Sequence, residues 1–100
     1  MRIIAWSTLA AYAEEHPETK SSLARWKALV EVAGWTSMDE VRQAAPNAVI
    51  LNGQRVRFEI AGGNYRLIVM IHFRRQIVYV NFIGTHAEYD KVDALTVSLF

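Results

Sequence analysis

The hydrophobic pattern of this chain changes period once, near Pro46, and that change constrains the fold more than any other feature. Ahead of Pro46 apolar residues recur every three or four positions, the spacing of one helix face; after it they recur every second position, the spacing of one strand face. Helices gathered in the first half and strands in the second define an α+β fold, in which the helices cover one face of an antiparallel sheet. The chain has 100 residues, the size of a single domain, so residues 1–100 read as one unit. Hydrophobic residues make up 52% of it, which suits a packed core and excludes a disordered chain.

Local signals place the elements. Arg2 to Trp6 reads as a short opening strand, and Ser7-Thr8 as the N-cap of a helix from Leu9 to His16. Pro17 ends that helix because it has no amide hydrogen to donate. A second helix runs from about Thr19 to Ala33, with Leu23, Trp26, Leu29, Val30 and Ala33 on one stripe and Gly34 as its stop. Trp26 and Trp35 read as core anchors. Ser37 and Glu40 fit a capping box for a short third helix ended by Pro46. Ala48 to Leu51 is a strand, and Asn52-Gly53 is the pair favoured by a two-residue type I′ hairpin. From Gln54 to Ile60, Val56, Phe58 and Ile60 share one face while Arg55, Arg57 and Glu59 share the other. Ala61-Gly62-Gly63-Asn64 is a turn, and Tyr65 to Phe73 sets Arg66, Ile68, Met70 and His72 opposite its core face. Arg74-Arg75-Gln76 turns the chain into Ile77 to Ile83, and Thr85 caps a short helical turn to about Val92. The expectation is an N-terminal strand, two to three helices, and a meander of about four strands whose second face carries Arg57, Glu59, Arg66 and His72 and needs an explanation other than the core.

Several classes of function are excluded. There is no cysteine, hence no disulfide framework and no zinc–thiolate site. The longest apolar run, Leu67 to Ile71, is far short of the ~20 residues a membrane span needs. Met1-Arg2-Ile3-Ile4 runs straight into patterned sequence, which makes a cytoplasmic protein with no membrane partner the expectation. No phosphate loop, dinucleotide fingerprint or HExxH motif occurs. His16, His72 and His86 are too scattered to suggest a metal site; His16 reads as a helix C-terminal dipole partner and His72 as a hydrogen-bonded residue of the sheet face.

The net charge of +1 conceals a segregation. Residues 1–50 hold five bases and six acids, whereas Arg55 to Arg75 hold five arginines against Glu59 alone. Arginine presents a planar fork suited to phosphate. A second dense stretch is Gly84-Thr85-His86-Ala87-Glu88-Tyr89-Asp90-Lys91. Wound as a helix, it sets His86, Tyr89 and Asp90 side by side. Near Arg66 they form a candidate acid–base group for phosphodiester chemistry, which needs a base for the 2′-OH, an acid for the leaving 5′-oxygen and cations for the phosphorane charge. A capped helix start, Thr85 with Glu88, accounts for the same residues without chemistry.

These stretches resemble a known family. The Gly84-Thr85-His86-Ala87-Glu88-Tyr89-Asp90 run, preceded by Phe58-Glu59-Ile60-Ala61-Gly62-Gly63-Asn64-Tyr65-Arg66-Leu67, is similar to the HigB toxins of bacterial type II toxin–antitoxin systems, within the RelE/ParE superfamily. The likeness spans nearly the whole chain, from Met1 through Trp26, Trp35 and the Ala45-Pro46-Asn47-Ala48 connection to Asp93. It implies a RelE-like fold and an mRNA interferase: an endoribonuclease, commonly acting on the ribosome, that halts growth until a helix-turn-helix antitoxin of the HigA type restrains it. On that resemblance Arg66 would hold the scissile phosphate, and His86 and Tyr89 would be acid–base or orienting residues. Arg57, Asn64, Arg74, Arg75 and Lys91 would contact RNA, no cofactor or metal would be needed, and Glu59 is a candidate general base. Three positions depart from the family pattern toward less positive charge: Glu59, where asparagine is frequent, Ala61, where lysine is, and Asn81, which is often basic. Two other readings remain: a gyrase-inhibiting toxin of the ParE kind, and a non-catalytic RNA- or protein-binding module.

Overall fold

A computed structural model describes all residues from Met1 to Phe100. Its sheet has five strands in the order β1-β5-β4-β3-β2, built from Arg2–Ile4 (β1), Val49–Ile50 (β2), Arg55–Ile60 (β3), Tyr65–His72 (β4) and Ile77–Thr85 (β5). The meander β2 to β5 is antiparallel as expected. β1, however, lies parallel to β5, pairing Arg2–Ile4 with Ile77–Tyr79, so the sheet is mixed. A parallel neighbour requires a crossover, and the helical half of the chain supplies it.

The helices are α1 (Trp6–Glu15), α2 (Lys20–Val32), α3 (Met38–Ala44) and α4 (His86–Tyr89). α1 begins before the expected Ser7-Thr8 cap, with Ala5 as an extended N-cap that makes no side-chain bond. β1 stops where its pairing with Tyr79 stops, and the chain turns into the helix at once. Pro17 ends α1 and opens a single 3₁₀ turn, in which the buried Thr19 hydroxyl donates to the His16 carbonyl at 2.7 Å. α2 closes at Ala33 rather than at Gly34. The Met1 ammonium donates to the carbonyls of Val30 (2.9 Å), Glu31 (3.3 Å) and Ala33 (2.8 Å), so a positive charge caps the helix and no left-handed glycine is required. At α3 the Ser37 hydroxyl accepts from the Glu40 amide, but the Glu40 carboxylate turns to the amide and hydroxyl of Thr36, making the reciprocal half of the box one residue early.

The core joins Leu9, Leu23, Trp26, Val30 and Val41 of the helices to Val56, Phe58, Ile60, Leu67, Val69, Ile71, Val78, Val80 and Ile83 of the sheet. The alternation expected in β3 and β4 is present. The Asn52-Gly53 turn is not type I′, because neither residue has positive φ. Asn52 Oδ1 instead accepts from the amides of Gln54 (2.8 Å) and Arg55 (2.7 Å), a side-chain turn that makes the left-handed backbone unnecessary.

The second face of the sheet is not open along its length. Ile68 and Phe82 point away from the helices, yet they are 0% and 3% exposed. A register shift after Ile68 leaves Asn81 as an extra residue in β5, and its carbonyl accepts from the Leu99 amide at 2.9 Å. Arg55 Nη1 donates to the carbonyls of Ala94 (3.2 Å) and Val97 (2.8 Å). The C-terminal residues therefore cross the centre of this face between β5 and β3, leaving accessible the end nearest α4 and, at the other end, His72.

Candidate functional site

At the α4 end three strands and one short helix converge. β3 supplies Arg57 and Glu59, β4 supplies Arg66 opposite Glu59, and β5 supplies Gly84 opposite Arg66. Arg66 Nη1 donates to Glu59 Oε1 at 3.0 Å, and Arg57 Nη2 lies 4.0 Å from the same oxygen. The arginine side chains are only 13% and 18% exposed, so their charges sit in a partly desolvated cleft where an anion is held more firmly than on open surface. Each guanidinium also keeps a buried Nε–H with no acceptor.

Helix α4 roofs this cleft. Thr85 and Glu88 form a full capping box: the Glu88 amide donates to the Thr85 hydroxyl at 3.1 Å and the Glu88 carboxylate accepts from the Thr85 amide at 2.8 Å. The Thr85 amide and hydroxyl bonds hold the Glu88 carboxyl below the usual carboxylate range. A helix of four residues has little stability of its own, so these caps, with the His86 amide on the Asn64 carbonyl (3.0 Å), are what place it. Tyr89 then lies under the Arg57 guanidinium, 5.3 Å from ring centre to Cζ, and its ring tilts against Phe82. His86 stands at the exposed rim with Nδ1 3.7 Å from the Asp90 carboxylate.

The turn Ala61–Asn64 closes the near side. Ala61, Gly62 and Gly63 all have positive φ (53°, 67° and 92°). A Cβ built on Gly63 would meet Arg66 Nη1 (3.5 Å) and the Glu59 carboxyl (3.6 Å) only in ordinary contact, so it is the backbone, at φ 92°, that calls for glycine there.

Behind the sheet, four residues that drew no functional reading on the sequence clamp α1 to β4 at the same end. The Tyr12 and His16 rings stack at 4.2 Å, His16 Nδ1 lies 3.5 Å from the Tyr65 hydroxyl, and that hydroxyl donates to Glu18. Burial, foremost, pushes the Tyr12 phenol up to about 12, and the Tyr65 bond draws the Glu18 carboxyl down. Residues 12, 16, 18 and 65 share no spacing motif; only the tertiary fold assembles them.

Of the residues singled out on the sequence, Arg57, Glu59, Arg66 and Tyr89 meet in one cleft, with His86 and Lys91 on the adjoining helix and turn and Asn64 tied to α4 through its carbonyl. Arg74 and Arg75 sit beyond the other end of β4, roughly 20 Å along the strand from Arg66. Their turn is held by the Arg75 amide donating to His72 Nδ1 at 3.2 Å. Arg55 is spent on the chain's own carbonyls. The five-arginine cluster of the sequence is therefore two arginines at the cleft and three elsewhere.

Helices on one face of a mixed sheet, with paired guanidiniums and an aromatic ring at the free end of the other, define a small α+β domain equipped to grip an oxyanion. The family described as HigB_toxin, the RelE-like toxic component of a toxin–antitoxin system, matches residues 19–92, and the chain belongs to it. Among curated proteins, the mRNA interferase HigB of Escherichia coli O6:H1 is 28% identical over 97 residues, covering 92% of this chain and 91% of that one. No helix is long and apolar enough to cross a membrane.

Proposed function

We propose that the chain is an mRNA interferase of the cytoplasm that cuts mRNA during translation on the ribosome, inhibiting it, and is neutralised by a HigA-type helix-turn-helix antitoxin. One observation carries this reading most directly: Arg57 and Arg66 converge on a single carboxylate oxygen, with the Arg57 guanidinium over the Tyr89 ring, the charge arrangement a phosphodiester needs. The scissile phosphate replaces the Glu59 carboxylate on Arg66, and Arg57 and the Tyr89 ring flank it, the ring offering a stacking surface for a base. Glu59, released beside the phosphate, takes the proton of the attacking 2′-OH. His86, oriented by Asp90, protonates the departing 5′-oxygen. The products are a 2′,3′-cyclic phosphate and a free 5′-hydroxyl, with developing charge met by the two guanidiniums and no step routed through a metal. Asn64 and Lys91 guide the adjoining RNA, and Arg74 and Arg75 reach only a distant part of a long substrate.

Induction of the wild-type chain is expected to stop growth and truncate mRNA. An Arg66→Ala, His86→Ala, Tyr89→Phe triple variant is expected to lose both effects. Equal toxicity of the two chains overturns the site assignment; intact mRNA with defective DNA supercoiling overturns the nuclease reading.

A further inference from the structure

Between α2, the α3–β2 connection and the outer edge of β3 lies a groove of about 340 Å³. β2 pairs with β3 only at Ile50–Val56 and Val49–Arg57, so from Phe58 to Ile60 no strand lies on the outer side of β3. The Leu51 amide donates to the Arg55 carbonyl at 2.9 Å, which identifies the main-chain groups of Arg55 as outward-facing. Successive residues of an antiparallel strand turn their N–H and C=O to alternate sides, so Arg57 and then Glu59 face outward too. Glu59 thus presents an amide and a carbonyl to the groove with no strand partner.

The surroundings suit a peptide. The Ser22 hydroxyl accepts from the Ala61 amide at 3.0 Å and keeps its own proton to donate. Arg25 is exposed on the groove wall and takes part in none of the seven ion pairs, a free cation awaiting an acid. Trp26 and the methyl of Ala44 add apolar wall. An extended peptide supplies N–H and C=O at the spacing of a strand edge, which a nucleotide chain does not.

We propose that this groove docks the antitoxin, as an extended segment that continues β2, pairs its main chain with Glu59 and carries an acidic side chain to Arg25. The existence of that partner rests on the toxin family; the site does not use the RNA cleft.

The test uses the purified protein encoded by the open reading frame beside this one. Ala44→Arg fills the groove from an exposed helix position and Arg25→Glu reverses its charge; neither residue contacts the RNA cleft. Both variants are expected to bind that protein at least about tenfold more weakly by calorimetry and to escape its neutralisation, while the free variants stay as toxic as wild type. Binding is also expected to slow hydrogen exchange at the Glu59 amide. Wild-type affinity in both variants with unchanged Glu59 exchange overturns the proposal. So does loss of affinity in Arg66→Ala alone, which places the partner on the RNA cleft, or slowed Glu59 exchange with an uncleavable oligoribonucleotide, which gives the groove to RNA. Absence of nuclease activity in the wild-type chain overturns the functional reading instead and leaves the binding comparison intact.

Discussion

Glu59 brings a negative charge between two arginines, and at the scale of single residues this is the cleft's most consequential choice. Its carboxylate makes the free cleft closer to neutral and must leave Arg66 before a phosphate binds. Glu59→Gln is therefore expected to tighten binding of an uncleavable RNA by roughly threefold to tenfold, the scale of a partly exposed ion pair. The same change removes the proposed base and is expected to lower kcat by about a hundredfold, so binding and turnover move in opposite directions. Ala61 poses a separate residue-scale question. It holds φ at 53°, a region that costs an L-residue about 1 kcal/mol. Ala61→Gly is expected to raise stability by up to about 1 kcal/mol in denaturant unfolding, offset in part by the added freedom of the unfolded chain. Both residues stand out in the sequence as departures from the family pattern. Neither the 3.0 Å ion pair nor the left-handed turn follows from that, because one depends on strand register and the other on the Ser22 hydroxyl from a distant helix.

α4 is the element on which the site turns. Thr85, Glu88 and their spacing announce its start in the sequence, and the same residues that read as a plain helix cap are what position the candidate catalytic ones. Structural and functional readings of that run are therefore complementary. The Glu88 carboxyl is depressed in the fold, so its contribution is present at neutral pH and disappears as pH falls through the folded value. α4 is expected to loosen as the Glu88 carboxyl is protonated, below the usual carboxylate range, seen as a lower hydrogen-exchange protection factor at the Thr85 amide. Glu88→Gln, which keeps the accepting oxygen and loses the charge, is expected to flatten that pH dependence. Elsewhere the elements follow their signals where the signal is local, as at Pro17 and in the alternation of β3. They depart where a distant group intervenes: the Met1 ammonium takes over the end of α2, and pairing with β5 cuts β1 short.

For the molecule as a whole, the C-terminal crossing decides how much of the second face of the sheet is exposed. Arg55 anchors it through two main-chain carbonyls, and Leu99 docks on the extra residue of β5. Arg55→Ala is expected to cost about 1–2 kcal/mol of stability and to speed hydrogen exchange at the Leu99 amide, with the cleft at Arg66 unaffected. Unchanged exchange at Leu99 counts against the anchoring role. The near-neutral net charge suits the proposed function: a cleft with paired arginines at one end of a sheet would read phosphate locally, without a surface that holds every polyanion. The α+β class, the helix-then-sheet order, the core faces and the two stretches that supply the candidate site follow from periodicity and residue type, which are properties of neighbours along the chain. The parallel β1, the covered centre of the second face, the separation of Arg57 and Arg66 from Arg55, Arg74 and Arg75, and the unpaired edge at Glu59 arise only on folding. Each depends on strand order, register and a hydrogen bond between residues far apart in the chain, and such contacts leave no local spacing to read.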